Sequence, residues 1–238
     1  MSSFTLAWHF LIFGVLPYVV IAVLILGSLA RFVLAPFSWK SQSSEILDKK
    51  DIFWGANLFH IGVIFLFCGH CFGLFTPIEW LNAAGLTPRL HQMMEIICGG
   101  LSAIVAITGL IILTWRRLTN ERVRAASRPS DFWVLFLLLA VIILGIGCVV
   151  NSYLYDKSGA TIILLGGWVR GLFSFDYQAW QNILLVPDWQ KGHIFVGLII
   201  FLIVPFTRLV HIWSGYLSVF YLIRPHQIMR ANNGKPMK

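Results

Sequence analysis

Four stretches of this sequence, Phe4 to Ala30, Ile52 to Ile78, Ile96 to Trp115 and Phe132 to Tyr155, each run for at least 20 residues without a Lys, Arg, Asp or Glu. About 20 apolar residues in a helix cross the hydrocarbon core of a bilayer, so each run predicts a membrane-spanning helix. A fifth opens near Gly192, stays uncharged to Thr207 and continues past Arg208 through Val210, Ile212 and Trp213. An arginine near the end of a span snorkels its charge to the interface. The expected fold is an all-α integral membrane protein, a five-transmembrane-helix bundle with spans at 4–30, 52–78, 92–115, 132–155 and 192–214. Residues 1–238 form one membrane domain, with a tail over 215–238.

Composition agrees: 58% of the 238 residues are hydrophobic and 12% charged, against about 25% charged in a soluble domain. Mean hydropathy is +0.80. Residues 1–30 hold no Lys or Arg and their apolar run outlasts the core of a signal peptide, so they are expected to be a first span. Residues 157–191 are apolar but interrupted by Arg170, Asp176 and Asp188, and they are rich in rings (Trp168, Phe173, Phe175, Tyr177, Trp180). That mixture suits the membrane interface rather than a sixth span.

The net charge of +8 falls in clusters between the apolar runs, so it reads as a topology signal with lipid as the surroundings, and nucleic-acid binding is not supported. Arg31, Lys40, Lys49 and Lys50 flank the first connection. Arg116, Arg117, Arg122, Arg124 and Arg128 fill the third, and Arg208, Arg224, Arg230, Lys235 and Lys238 lie at or beyond the last span. The second and fourth connections hold only Arg89, Lys157, Arg170 and Lys191. The positive-inside rule then puts the N-terminus outside and the basic loops and the C-terminus in the cytoplasm, which five spans satisfy and six do not. Cys68, Cys71, Cys98 and Cys148 all sit inside apolar runs and suggest no disulfide framework. In Cys68-Gly69-His70-Cys71 the histidine lies between the cysteines, the wrong order for covalent haem attachment.

Histidine at membrane depth calls for a ligand, a proton path or a buried hydrogen bond. His60 and His70 lie in the second expected span, and His193 and His211 at the two ends of the fifth. Antiparallel spans match His60 with His211 and His70 with His193. Two histidines facing each other across a helix pair give a haem iron both axial ligands and favour electron transfer. Gly62, Gly69, Gly73 and Gly197 would let a flat macrocycle approach the backbone. Spacing is the difficulty: ten residues rise about 15 Å and eighteen about 27 Å, a mismatch to be absorbed by tilt, side-chain reach and a bend near Pro205. The competing readings are core histidines satisfied by hydrogen bonds, or a non-haem metal or proton site in a transporter. A zinc site needs convergence at one depth, against which stand two separated pairs without a carboxylate in either span. His9 and His226 are expected to be interfacial. His91 opens the third span with Glu95 one turn later; it is either a group that hydrogen-bonds a quinone and takes its proton or an ordinary interface cap.

At these residues the chain resembles the gamma subunit of membrane-bound respiratory nitrate reductase, a dihaem cytochrome b family. The likeness runs through Gly27-Ser28 with Arg31, Trp39-Lys40, Ser43-Ser44, Leu47-Asp48, Asn57 to Gly62, Gly69-His70 and Gly99-Gly100. It continues in Arg116-Arg117-Leu118, Arg122 to Ala125, Gly167-Trp168 and Arg208 to Ser214. The resemblance implies two haem b groups, the outer iron held by His70 and His193 and the inner by His60 and His211. It also implies quinol oxidation beside the outer haem with Gly69 and His70 at the quinol site. Protons would leave outside, and electrons would pass to an iron-sulfur beta subunit and a molybdenum-containing alpha subunit at the cytoplasmic side of the inner membrane. Where the family has a lysine near the quinol, His91 stands here, so quinone type and direction of electron flow stay open. The same subunit type in a nitrite oxidoreductase or a sulfur-metabolising complex is the alternative.

Overall fold

A computed structural model describes residues 3–35, 38 and 50–213. Lys40, Lys49, His226 and the tail over 215–238 lie outside the described residues, as does the end of the fifth expected span at Ser214. Among the described residues five helices are long and apolar enough to cross a membrane and none forms a strand. They are α1 (Ser3–Leu34), the apolar part of α2 (Lys50–Phe75) from Ile52, α4 (Pro88–Thr119), α6 (Pro129–Tyr155) and Asp188–Phe206, whose regular helix is α8 (Asp188–Ile203). Shorter helices are α3 (Ile78–Ala83), α5 (Glu121–Ala125) and α7 (Ala160–Phe173). Side chains such as Phe65, Ile64, Leu101, Ile104 and Phe136 stand exposed on the bundle's outside, as lipid-facing residues do.

The boundaries differ from the apolar runs at the ends. The second span stops at Phe75 rather than Ile78, because the residue before Pro77 is pushed out of helical geometry. The third starts at Pro88, behind a Thr87 side chain that accepts from the Leu90 amide, and the fifth at Asp188 after Pro187. Both first turns carry a charge, Arg89 and Asp188, so a search for uncharged runs misses them, although an acidic residue there is favoured by the helix dipole. The segment 157–191 forms α7 and a 3-10 stretch, Ala179–Leu185. At 14 residues α7 is about 21 Å long, too short to span, as expected of an interfacial element.

This segment is stitched over one end of the bundle. Trp168 Nε1 donates to the Phe13 carbonyl at 2.8 Å, Tyr18 Oη to the Leu172 carbonyl at 3.0 Å, and Arg170 to the Leu74 and Thr76 carbonyls at 3.2 and 3.1 Å. Asp156 caps its start, accepting from the amides of Ser158, Gly159, Ala160 and Thr161. Partial burial opposes ionisation of that carboxyl, but the hydrogen bonds from Thr161 and Ser158 outweigh it and hold it well below the usual carboxylate range.

The tightest packing is between α2 and α4. A Cβ at Gly62 would lie 2.5 Å from the Ala106 amide nitrogen, and one at Gly109 would collide with the Phe59 amide and lie 2.7 Å from the Gly55 carbonyl. Small residues that let backbones meet are how helices associate where lipid removes the hydrophobic drive. Gly62 is therefore taken up by the α2–α4 contact and not by room for a macrocycle. We expect Gly109→Val, which overpacks this contact by at least the usual 1–3 kcal/mol or so, to lower the thermal unfolding temperature in detergent; an unchanged temperature would mean that the helices do not meet here.

Candidate metal centres

The histidines pair as antiparallel geometry requires. The ring centroids of His60 and His211 lie 6.2 Å apart, and those of His70 and His193 6.0 Å. Imidazole nitrogens bind a metal at about 2.0 Å, so two rings on opposite sides of one ion have centroids roughly 6 Å apart. Among the described residues no three His, Cys, Asp or Glu side chains converge; these histidines meet in twos.

All four rings are turned the same way chemically. His60 Nδ1 donates to the Ala56 carbonyl at 2.7 Å and His70 Nδ1 to the Leu66 carbonyl at 2.7 Å. His193 Nδ1 donates to the Val141 carbonyl at 2.9 Å and His211 Nδ1 to the Arg208 carbonyl at 2.6 Å. A carbonyl only accepts, so Nδ1 carries the proton and Nε2 the lone pair, the arrangement by which protein histidines bind metals. For His193 the carbonyl belongs to another helix, and Gly145 makes the approach possible: a Cβ there would lie 3.1 Å from the imidazole.

The helices α2 and α8 are not the main packing partners of one another: α2 packs chiefly on α4 and α7, and α8 on α6 and α1. The sequence expectation of a paired α2 and α8 holds at the histidines, not in the packing. Gly69 and Gly197, beside His70 and one turn beyond His193, have nothing within 4 Å of a built Cβ. Gly73, also expected to face a macrocycle, faces the Glu95 carboxylate and the His91 ring instead. Two imidazoles about 6 Å apart with bare backbone beside them fit a flat, metal-bearing ring.

The spacing mismatch is removed by a break. Helix α8 ends at Ile203, ten residues after His193, the same separation as His60 to His70. Two 3-10 turns follow, Val204–Phe206 and Arg208–Val210, joined by an extended Thr207 (φ −120°, ψ −178°). Residues 204–210 thus carry the chain sideways, and His211 arrives opposite His60. Pro205 starts the break, as expected, because its ring removes a donor.

Breaking a helix at membrane depth frees carbonyls, and arginine answers them. Arg31 donates to the Pro205 and Thr207 carbonyls, both at 2.7 Å, while Gly27, one turn earlier, gives Pro205 its room with a built Cβ only 3.0 Å from that ring. Arg208 was expected to snorkel. It does not: its Nε pairs with Asp131 Oδ1 at 3.0 Å, and Arg117 pairs with Asp131 Oδ2 at 3.1 Å. Asp131 is 5% exposed and also accepts from the Arg128 amide at 2.9 Å. The chain Asp131, Arg208, His211 thereby ties the last of the paired histidines to the start of α6. The signal for it was a lone carboxylate at the head of an apolar span; the Val141 carbonyl has no signal in sequence.

His91 is 2% exposed, and neither ring nitrogen has a hydrogen-bond partner among the described residues. Its ring centroid is 5.8 Å from that of Phe72, and Nε2 is 3.9 Å from Glu95 Oε1. This is a buried polar group rather than an interface cap. It lines a small pocket with Gly73, Thr76, Leu81 and Arg170. His9 donates to the Thr5 carbonyl within its own helix.

The chain is similar to known proteins over most of its length. A sequence model of the nitrate reductase gamma subunit family matches residues 9–232. The respiratory nitrate reductase 2 gamma chain of Escherichia coli K12 is 36% identical over 219 residues, 92% of this chain and 95% of that one. The respiratory nitrate reductase 1 gamma chain of the same organism is 35% identical over 93% of this chain and 96% of its own length. The nitrate reductase gamma chain of Bacillus subtilis 168 is 35% identical over 94% and 98%.

Removing one partner of a buried ion pair costs about 3–5 kcal/mol. Asp131→Ala strands Arg117 and Arg208, so we expect a clear fall in thermal stability, with His211 released and the His70/His193 pair kept. Equal loss at both pairs, or at neither, would show that Asp131 does not act through Arg208.

Proposed function

The chain belongs to the nitrate reductase gamma subunit family, and on that premise we propose that it is the quinol-oxidising dihaem cytochrome b of its complex. The observation that carries the reading is the pair of facing imidazole sets, 6.2 and 6.0 Å apart, with every Nδ1 donating to a backbone carbonyl. His70 and His193 hold the outer haem iron, and His60 and His211 the inner one. A haem iron held by two imidazoles would supply one-electron transfer rather than oxygen chemistry. Two centres at two depths make a path across the bilayer.

The protein's own groups do three things. The Nδ1 hydrogen bonds fix the ligand tautomers and ring orientation, the role outer-shell carbonyls play at metal sites. The segment from α7 to Leu185 covers one end of the bundle and restricts water there. At that end His91, with Gly69 and His70, binds the quinol: a buried neutral imidazole with unpartnered nitrogens hydrogen-bonds a quinol hydroxyl and takes its proton.

The opposite end supports the expected orientation. Arg31, Arg117 and Arg208 gather there around the break in the fifth span, and α5 exposes Arg122 and Arg124 beside them. A basic end of this kind belongs on the cytoplasmic face, where the iron-sulfur and molybdenum subunits take up the electrons. We accordingly read the protein as an inner-membrane protein with its N-terminus outside.

A reduced pyridine haemochrome spectrum is expected to give two haems b per chain, and His60→Ala or His193→Ala to give one; haem-free protein would end the reading. His91→Ala should keep both haems and slow their reduction by quinol. Unchanged kinetics would remove His91 from the quinol site.

A further inference from the structure

His91 cannot be the end of a proton's path: it is sealed at 2% exposure, and a proton left on it would be a buried charge. One group stands beyond it. Glu95 Oε1 lies 3.9 Å from His91 Nε2, a gap closed by a small side-chain rotation or one bridging water, and 40% of the Glu95 side chain is exposed. The backbone makes this juxtaposition. Residues Glu95–Gly99 form a π-helical turn inside α4, a feature that is rare and frequent at functional sites. Across from it Gly73 leaves the space the carboxylate occupies, since a Cβ there would collide with Glu95 Oε1. A carboxylate in a membrane span without a cationic side chain bonded to it is costly, and such groups mark proton relays.

Resting on the quinol reading above, we infer that Glu95 is the proton acceptor behind His91, forming with it a two-step relay from the quinol to the surface. The balance is as follows. A quinol becomes a quinone by losing two electrons and two protons. The electrons go singly to a ferric b-type haem iron, the oxidant the reading supplies. The O–H bond that faces His91 breaks toward Nδ1 while Nε2 passes its proton to the Glu95 carboxylate, and the carboxylic acid so formed releases it at the surface; the proton of the far hydroxyl, acidified by electron loss, leaves to water.

Other titratable or charged groups on the surrounding elements are occupied or unsuited. Arg170 on α7 is bonded to the Leu74 and Thr76 carbonyls, and Arg89 on α4 to Gln92 and the Asp156 carbonyl. Glu79 on α3 is exposed, and His70 on α2 is a proposed iron ligand. The thiols of Cys71, Cys98 and Cys148 are free, but a neutral thiol is only a weak donor and acceptor.

The test uses Glu95→Gln in the purified complex, with the naphthoquinol menadiol as reductant and stopped-flow haem absorbance as readout. Both haems should remain, reporting a folded chain, while reduction slows about 100-fold, the low end of what a positioned base supplies. Wild-type rates should rise with pH as Glu95 ionises, and the variant should lose that limb. Infrared difference spectra of quinol reduction should show a carboxylic C=O band that the variant lacks. Wild-type reduction with unchanged rate, pH profile and infrared band in the variant would overturn the relay while leaving the quinol reading intact. If menadiol fails to reduce the haems of the wild type, the quinol reading falls and the relay with it.

Discussion

Two imidazoles can share one metal only when the backbone holds them about 6 Å apart, and this bundle meets that requirement twice. Straight helices cannot do so with histidines ten residues apart on one and eighteen on the other. The structure around His211 follows from the solution adopted, which is to end α8 at Ile203 and break residues 204–210 into two 3-10 turns. The break needs Pro205 to start it and Gly27 to make room for it. Arg31 bonds the carbonyls it frees, and Asp131 anchors Arg208. Buried charge is expensive where it serves nothing; here it fixes irregular backbone that delivers a ligand.

The half around His193 solves a different problem. His193 lies on regular helix, so its position needs no clamp, but its orientation depends on the neighbouring helix through the Val141 carbonyl and the missing side chain at Gly145. The α7 segment then closes that end, beside the buried His91 and its neighbour Glu95. In the proposed reading one end of the protein handles protons, and the other carries its basic surface.

Much of this was legible in the sequence, and the limits have physical causes. Uncharged runs located five spans because lipid tolerates little charge, yet misplaced the ends where a proline or a charged first turn decides, as at Phe75, Pro88 and Asp188. The four histidines and their pairing followed from depth and antiparallel direction. Gly62 and Gly73 were assigned to a macrocycle because sequence shows that a glycine is present but not what approaches it; Ala106 and Glu95 do. Arg208 was read as snorkelling because its partner, Asp131, stands 77 residues away in the chain. Backbone carbonyls, which hold every ligand histidine here, carry no side-chain signature at all.

The central claim is that each iron is held by two of these four imidazoles and nothing else from the chain. Near-infrared magnetic circular dichroism of the oxidised protein reads axial ligation directly. The account predicts low-spin iron with bis-imidazole ligation at both centres, integrating to all the iron present. High-spin iron, or a histidine–methionine or histidine–amine signature at either centre, would contradict it.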